Sequence, residues 1–98
     1  MLREIVERVG ARAEECFFWG LHSGAELELL VARGLTRRGY EVKFTQAPTL
    51  TPSMRSAIQA LKLERVDVVH AGTGTFPLAE TIRAVAGIRM WGDLAPLG

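Results

Sequence analysis

Cys16 is the only cysteine, so the chain has no means to build a disulfide framework, and a reducing, cytoplasmic setting is expected. No apolar run approaches the ~20 residues that a membrane-spanning helix needs, which excludes a membrane partner of that kind. The opening stretch, MLREIVERVG, carries acids where a secretory signal would end in small residues. Neither sign of charge is in excess. At a formal net charge of +1 there is no bulk attraction to nucleic acid, so any such contact has to come from a local patch. Internal repeats and low-complexity linkers are lacking too. What remains is 48% apolar and 23% charged, ordinary globular composition in 98 residues. The chain reads as a single domain with one modest core.

Hydrophobic periodicity divides the chain. In residues 2–14, Leu2, Ile5, Val6 and Val9 recur at helical spacing, opposite Arg3, Glu4, Glu7 and Arg8. This helix opens without a capping signal, which reads as a chain truncated at its N-terminal helix. The apolar stripe so exposed is a candidate dimerisation face. ECFFWG (15–20) is β-rich and runs into LHSG, a turn closed by Gly24. AELELLVA (25–32) alternates, and RGLTRR reads as a hairpin connection in which Gly34 suits a positive φ. GYEVKF (39–44) is a third strand, with Tyr40, Val42 and Phe44 on one side and Glu41 and Lys43 on the other. A helix follows in APTLTPSMRSAIQALKLE, with Thr51 as N-cap and Pro52 at the first helical position. VDVVHAG (66–72) is a short apolar strand, and TIRAVAGI (81–88) offers another; residues 89–98 form a loose tail, with a loose turn or a short helix in it. The predicted fold class is α/β: a small mixed sheet flanked by helices, in the order helix, three strands, helix, strand.

The charges on the second and third strands are the candidate chemistry. If these strands pair, Glu28 and Glu41 lie on neighbouring strands, where two carboxylates repel unless a cation sits between them. Mg²⁺ and similar hard cations favour carboxylate oxygens plus water. Lys43, two residues on, then holds an attacking water or stabilises charge on a phosphate. That set is complete for metal-assisted phosphodiester hydrolysis.

GAELELLV followed by GYEVKF resembles the acid and Glu-X-Lys signature of the PD-(D/E)XK nuclease-like superfamily. The longer string, CFFWGLHSGAELELLVARG through GYEVKFTQAP and TPSMRSAIQALKLERVDVVHAG to FPLAE, looks like the uncharacterised C-terminal domain of a family of prokaryotic AAA+-type ATPases. The resemblance implies a restriction-endonuclease-like core. It makes Glu28 and Glu41 metal-binding acids for Mg²⁺ or Mn²⁺, with the Val42 carbonyl as a further ligand and Lys43 as the catalytic lysine. It also implies DNA as substrate, and an ATPase domain or a second copy of the chain as partner. Two departures matter. Glu stands at position 28 where many members have Asp, which lengthens the reach by one methylene, and the acid near the start of the first helix is expected upstream of Met1, its loss counting against activity. No Gly-rich loop ending in Gly-Lys-Ser/Thr accompanies the domain.

Other readings compete. Glu28, Glu41 and Lys43 also suit a cross-strand ion-pair cluster on a solvated face, with Glu26 solvated at the strand's start. The alternative function is then a catalytically silent module binding nucleic acid or protein for an ATPase. Cys16, His22 and His70 lack the paired spacing of a zinc site. His22 and Ser23 lack a nucleophile elbow. HAGTGTF has neither the lysine nor the following helix of a phosphate loop. Arg33, Arg37 and Arg38 cluster at the hairpin, where they either touch a nucleic-acid backbone or are solvated. Trp19 and Trp91 either stack on bases or pack.

Overall fold

The structure, a computed structural model, describes residues 2–19 and 27–97; the side chains of residues 2, 19, 27 and 28 fall outside that description. The expected turn with Gly24, together with His22, Ser23 and Glu26, lies outside the described residues.

Helix α1 (Leu2–Val9) is shorter than the 2–14 that periodicity predicts, because Gly10 stops it. Gly10 adopts φ +77°, Ala11 N–H reaches back to Val6 O (3.1 Å) and Gly10 N–H to Glu7 O (3.2 Å). This double closure needs a left-handed residue, which glycine supplies without steric cost. A single 3₁₀ turn (Ala13–Glu15) then leads into strand β1 (Cys16–Trp19).

Strands β2 (Leu27–Arg33) and β3 (Thr36–Lys43) form a hairpin in which Arg33 pairs with Thr36, leaving Gly34 and Leu35 as the two-residue turn. Gly34 has φ +58°, as its place in so short a turn requires. Helix α2 (Pro52–Leu61) begins as expected: Thr51 Oγ1 accepts from Met54 N–H at 3.4 Å, and Pro52 occupies the first helical position. It carries the chain over to β4 (Arg65–His70), which runs parallel to β3. A second hairpin, β5 (Phe76–Ala79) and β6 (Ile82–Ala86), follows, with β6 parallel to β4.

The result is one six-stranded mixed sheet in the order β1-β2-β3-β4-β6-β5. Strand β5 was not expected from sequence. It is only four residues long and contains Pro77, which an edge strand tolerates because one side of its backbone makes no ladder bond.

Alternation sorts the strand residues between two cores. Leu29, Val31, Tyr40, Val42, Val69 and Val85 pack on one face against Ile5 and Val9 of α1 and against Met90 and Leu94. Val66, Val68 and Ile82 pack on the other against Met54 of α2 and Leu63. Burying such a side chain is worth roughly 1.5–3 kcal/mol, so both helices are held mainly by these stripes. Of the apolar stripe of α1, which the sequence offers as an exposed dimerisation face, Ile5 and Val9 are buried within the chain. The tail contains the short helix that the sequence offers, but residues 89–97 are held down rather than loose. A second 3₁₀ turn (Gly87–Arg89) and helix α3 (Met90–Asp93) lead to Leu94, which is buried. Arg8 Nε donates to Leu94 O (2.7 Å), Arg38 Nη1 to Pro96 O (3.0 Å), and Arg83 Nη2 to Asp93 O. Three guanidiniums thus bind a run of main-chain carbonyls and strap the tail to the sheet.

Among the described residues, no helix is long and apolar enough to cross a membrane.

Candidate functional site

Strand β3 lies in the interior of the sheet, with β2 on one side and β4 on the other, so its side chains stand where neighbouring strands crowd them. Glu41 is paired with Glu28 of β2 and with Val68 of β4. Lys43, the last residue of β3, is paired with His70, the last of β4. Alternation puts Glu41, Lys43, Val68 and His70 on the face that α2 covers in part. Glu41 is 8% exposed, whereas Lys43 is half-buried at the strand's end. The expected strand GYEVKF starts earlier than predicted, at Thr36, and its apolar side ends with Val42. Phe44 is 75% exposed and lies past the end of the strand, so it is not a core residue.

The backbone of Glu28 is thus directly across from that of Glu41, as the sequence implied, and Val42 and Lys43 follow in the same strand. Among the described residues, no three side chains of His, Cys, Asp or Glu cluster; the Glu28 side chain is outside that set.

His70 is buried and its ring is fully engaged. Gly72 N–H donates to Nδ1 at 3.0 Å, so Nδ1 carries no proton; Nε2 then bears it and donates to Gly74 O at 2.9 Å. The ring also meets Phe76 edge-on at 5.7 Å. The sequence HAGTGTF is therefore a turn folded around its own histidine, a role its spacing did not reveal.

The three hairpin arginines are drawn into structure. Arg33 makes a bidentate pair with Glu15 (Nε to Oε2, 2.8 Å; Nη2 to Oε1, 2.9 Å) and also donates to Gly10 O. This pair, with the Arg12 N–H bond to Glu15, holds the Glu15 carboxyl down at about 2. Arg37 donates to Leu61 O and Arg38 to Ala95 O and Pro96 O. Cys16 Sγ lies 3.4 Å from Arg12 O, and desolvation together with Glu15 and Glu14 pushes its thiol up, away from the reactive thiolate.

Sequence reading missed Asp67, hidden in the apolar-looking VDVVHAG. It is buried on the opposite face, 3.3 Å from Arg65 Nη2 and 3.4 Å from Arg83 Nε. The Arg65 contact is an ion pair without hydrogen-bond geometry, since among the described residues Asp67 Oδ2 and Arg65 Nη2 each lack a hydrogen-bonding partner. An acid flanked by arginines at positions 65 and 83 could be found only once β4 and β6 were known to be neighbours.

No family model matches the chain, and no solved structure matches it. Two uncharacterized proteins, one from Mycobacterium bovis and one from Mycobacterium tuberculosis, are each 39% identical to it over 69 residues. The match covers 70% of this chain and 16% of each relative, so the matched region is a small part of a much longer protein in both.

Proposed function

We propose that the chain is a metal-dependent nuclease-like domain with a PD-(D/E)XK-type core, acting on DNA phosphodiesters in the cytoplasm and working beside an ATPase domain. The observation that carries this reading is the register: Glu28 opposite Glu41, with Lys43 two residues on at the strand's end. Two acids on adjacent strands suit a hard cation. Glu28, Glu41 and the Val42 carbonyl would hold Mg²⁺ or Mn²⁺, which when bound would neutralise charge on the scissile phosphate and lower the pKa of a water. Lys43 would orient that water and steady the charge that develops on the phosphate oxygens.

A second reading is a catalytically silent module that binds nucleic acid or protein. It draws on the length of the two relatives, in which the matched segment is 16% of the chain, and on edge strand β1, where Phe17 and Phe18 are both exposed.

Crystals soaked in Mn²⁺ separate the two readings. The nuclease reading expects an anomalous peak between Glu28 and Glu41, together with DNA cleavage that Lys43→Ala abolishes. Cleavage unaffected by that substitution, or no peak at high Mn²⁺, leaves the silent module.

A further inference from the structure

We infer that His70 is a positioning residue for Lys43, acting through the turn that follows it. Lys43 ends β3, and among the described residues strand pairing stops there. Just beyond it comes a set of contacts organised by one imidazole. Both nitrogens of His70 bind the turn, Nδ1 accepting from Gly72 and Nε2 donating to Gly74. The turn so shaped presents Ala71 N–H to Thr45 O at 2.8 Å, two residues past Lys43. It also seats Gly72 against Gln46, where a Cβ would overlap the Gln46 carbonyl and press on the imidazole. Lys43 and His70 are themselves partners across the ladder.

The segment carrying Lys43 is therefore held from both sides. The β ladder fixes it up to residue 43, and the His70 turn fixes residues 45 and 46. A side chain at a strand end, held on one side only, would sample several directions. Pinning the next two residues restricts the main chain from which Lys43 projects, and orientation of that kind is worth much in a reaction rate. Glu28 and Glu41 lie further back in the ladder and do not depend on the turn. The catalytic consequence rests on the nuclease reading above; the geometric one does not.

The test uses the whole chain, with supercoiled plasmid DNA and Mn²⁺ as probes. His70→Phe keeps the size of the ring and its contact with Phe76 but removes both hydrogen bonds. It is expected to lower kcat on the order of 100-fold, with KM and Mn²⁺ affinity unchanged and hydrogen-exchange protection at the Ala71 amide lost. His70→Asn keeps an acceptor for the Gly72 N–H and is expected to recover most of kcat. Gly72→Ala displaces the same segment without altering the imidazole and is expected to reproduce the His70→Phe loss. If His70→Phe does not fold, the other two variants decide. Mn²⁺ affinity falling in step with kcat would overturn the inference, as would wild-type turnover and Ala71 protection in Gly72→Ala. If the unmodified chain cuts no DNA, the nuclease reading fails by itself. The inference is then judged by the NMR signals of the Lys43 side chain, and it is wrong if they match the unmodified chain in both His70→Asn and Gly72→Ala.

Discussion

Glu28 and Glu41 are direct partners in the antiparallel ladder between β2 and β3. Like charges opposite one another across a strand pair destabilise it by about 0.2–1 kcal/mol, and a cation between them reverses the sign.

Glu28→Gln should therefore have opposite effects in two solutions. In EDTA the variant is expected to melt at the same temperature as the unmodified chain or slightly higher, since a repulsion is removed. In millimolar Mn²⁺ it is expected to melt lower, because the stabilisation from metal binding is lost. Thermal melts in the two buffers check this. An equal rise on Mn²⁺ addition in both proteins would mean that the metal does not bind at Glu28.

The Glu15–Arg33 pair predicts an acid limb of stability. The ordinary value for this carboxyl is 4.5, and Arg33, then the Arg12 N–H, hold it at about 2 in the folded chain. A depressed carboxyl binds more protons when unfolded, so its contribution is complete above 4.5 and is lost as the pH falls toward 2. Urea midpoints followed from neutral pH down to 2 should fall less steeply below 4.5 in Arg33→Gln than in the unmodified chain. Parallel acid limbs in the two proteins would contradict the assignment.

Tyr40 predicts an alkaline limb. It is the only tyrosine, so its phenolate absorbance reports one residue. Burial, then the charge of Asp67, raises its ionisation above the ordinary 10.0, while Arg38 and Arg65 pull the other way. An acid whose folded value is raised stabilises the fold below its unfolded value and loses that contribution as pH rises through the folded one. Phenolate is expected only above pH 10.0, together with loss of structure. Among the described residues the hydroxyl makes no hydrogen bond of full geometry, Arg38 acting on it only weakly, so Tyr40→Phe should leave stability at neutral pH unchanged or raise it by about 1 kcal/mol. The variant should also resist alkali better. A marked loss of stability at neutral pH would show that the hydroxyl makes a bond in solution.

Elements whose signals are local were legible in the residues themselves. Thr51 and Pro52 start α2 because a side-chain acceptor and a missing N–H suit the first turn of any helix. Gly34 marks the β2–β3 hairpin because few other residues take its φ cheaply. The alternation in AELELLVA and GYEVKF was enough to propose that Glu28 and Glu41 are neighbours, and the hairpin register makes them so. Where periodicity failed, a local breaker or a short edge was responsible. Gly10 closed α1 five residues early, and Pro77 disguised β5.

Composition and spacing determined the class of the fold, the order of its main elements and the pairing of the two acids, because these depend on neighbours close along the chain. The tertiary structure alone decided what each long polar side chain does. Arg33, Arg37 and Arg38 resembled a basic patch until their partners at residues 15, 61 and 95–96 were in place. Asp67 became the centre of an ion-pair cluster only when β6 brought Arg83 beside it. His70 looked like a lone histidine until its turn closed on the segment that carries Lys43. Guanidiniums, buried carboxylates and imidazoles reach partners anywhere in the chain, so their roles depend on which strands become neighbours.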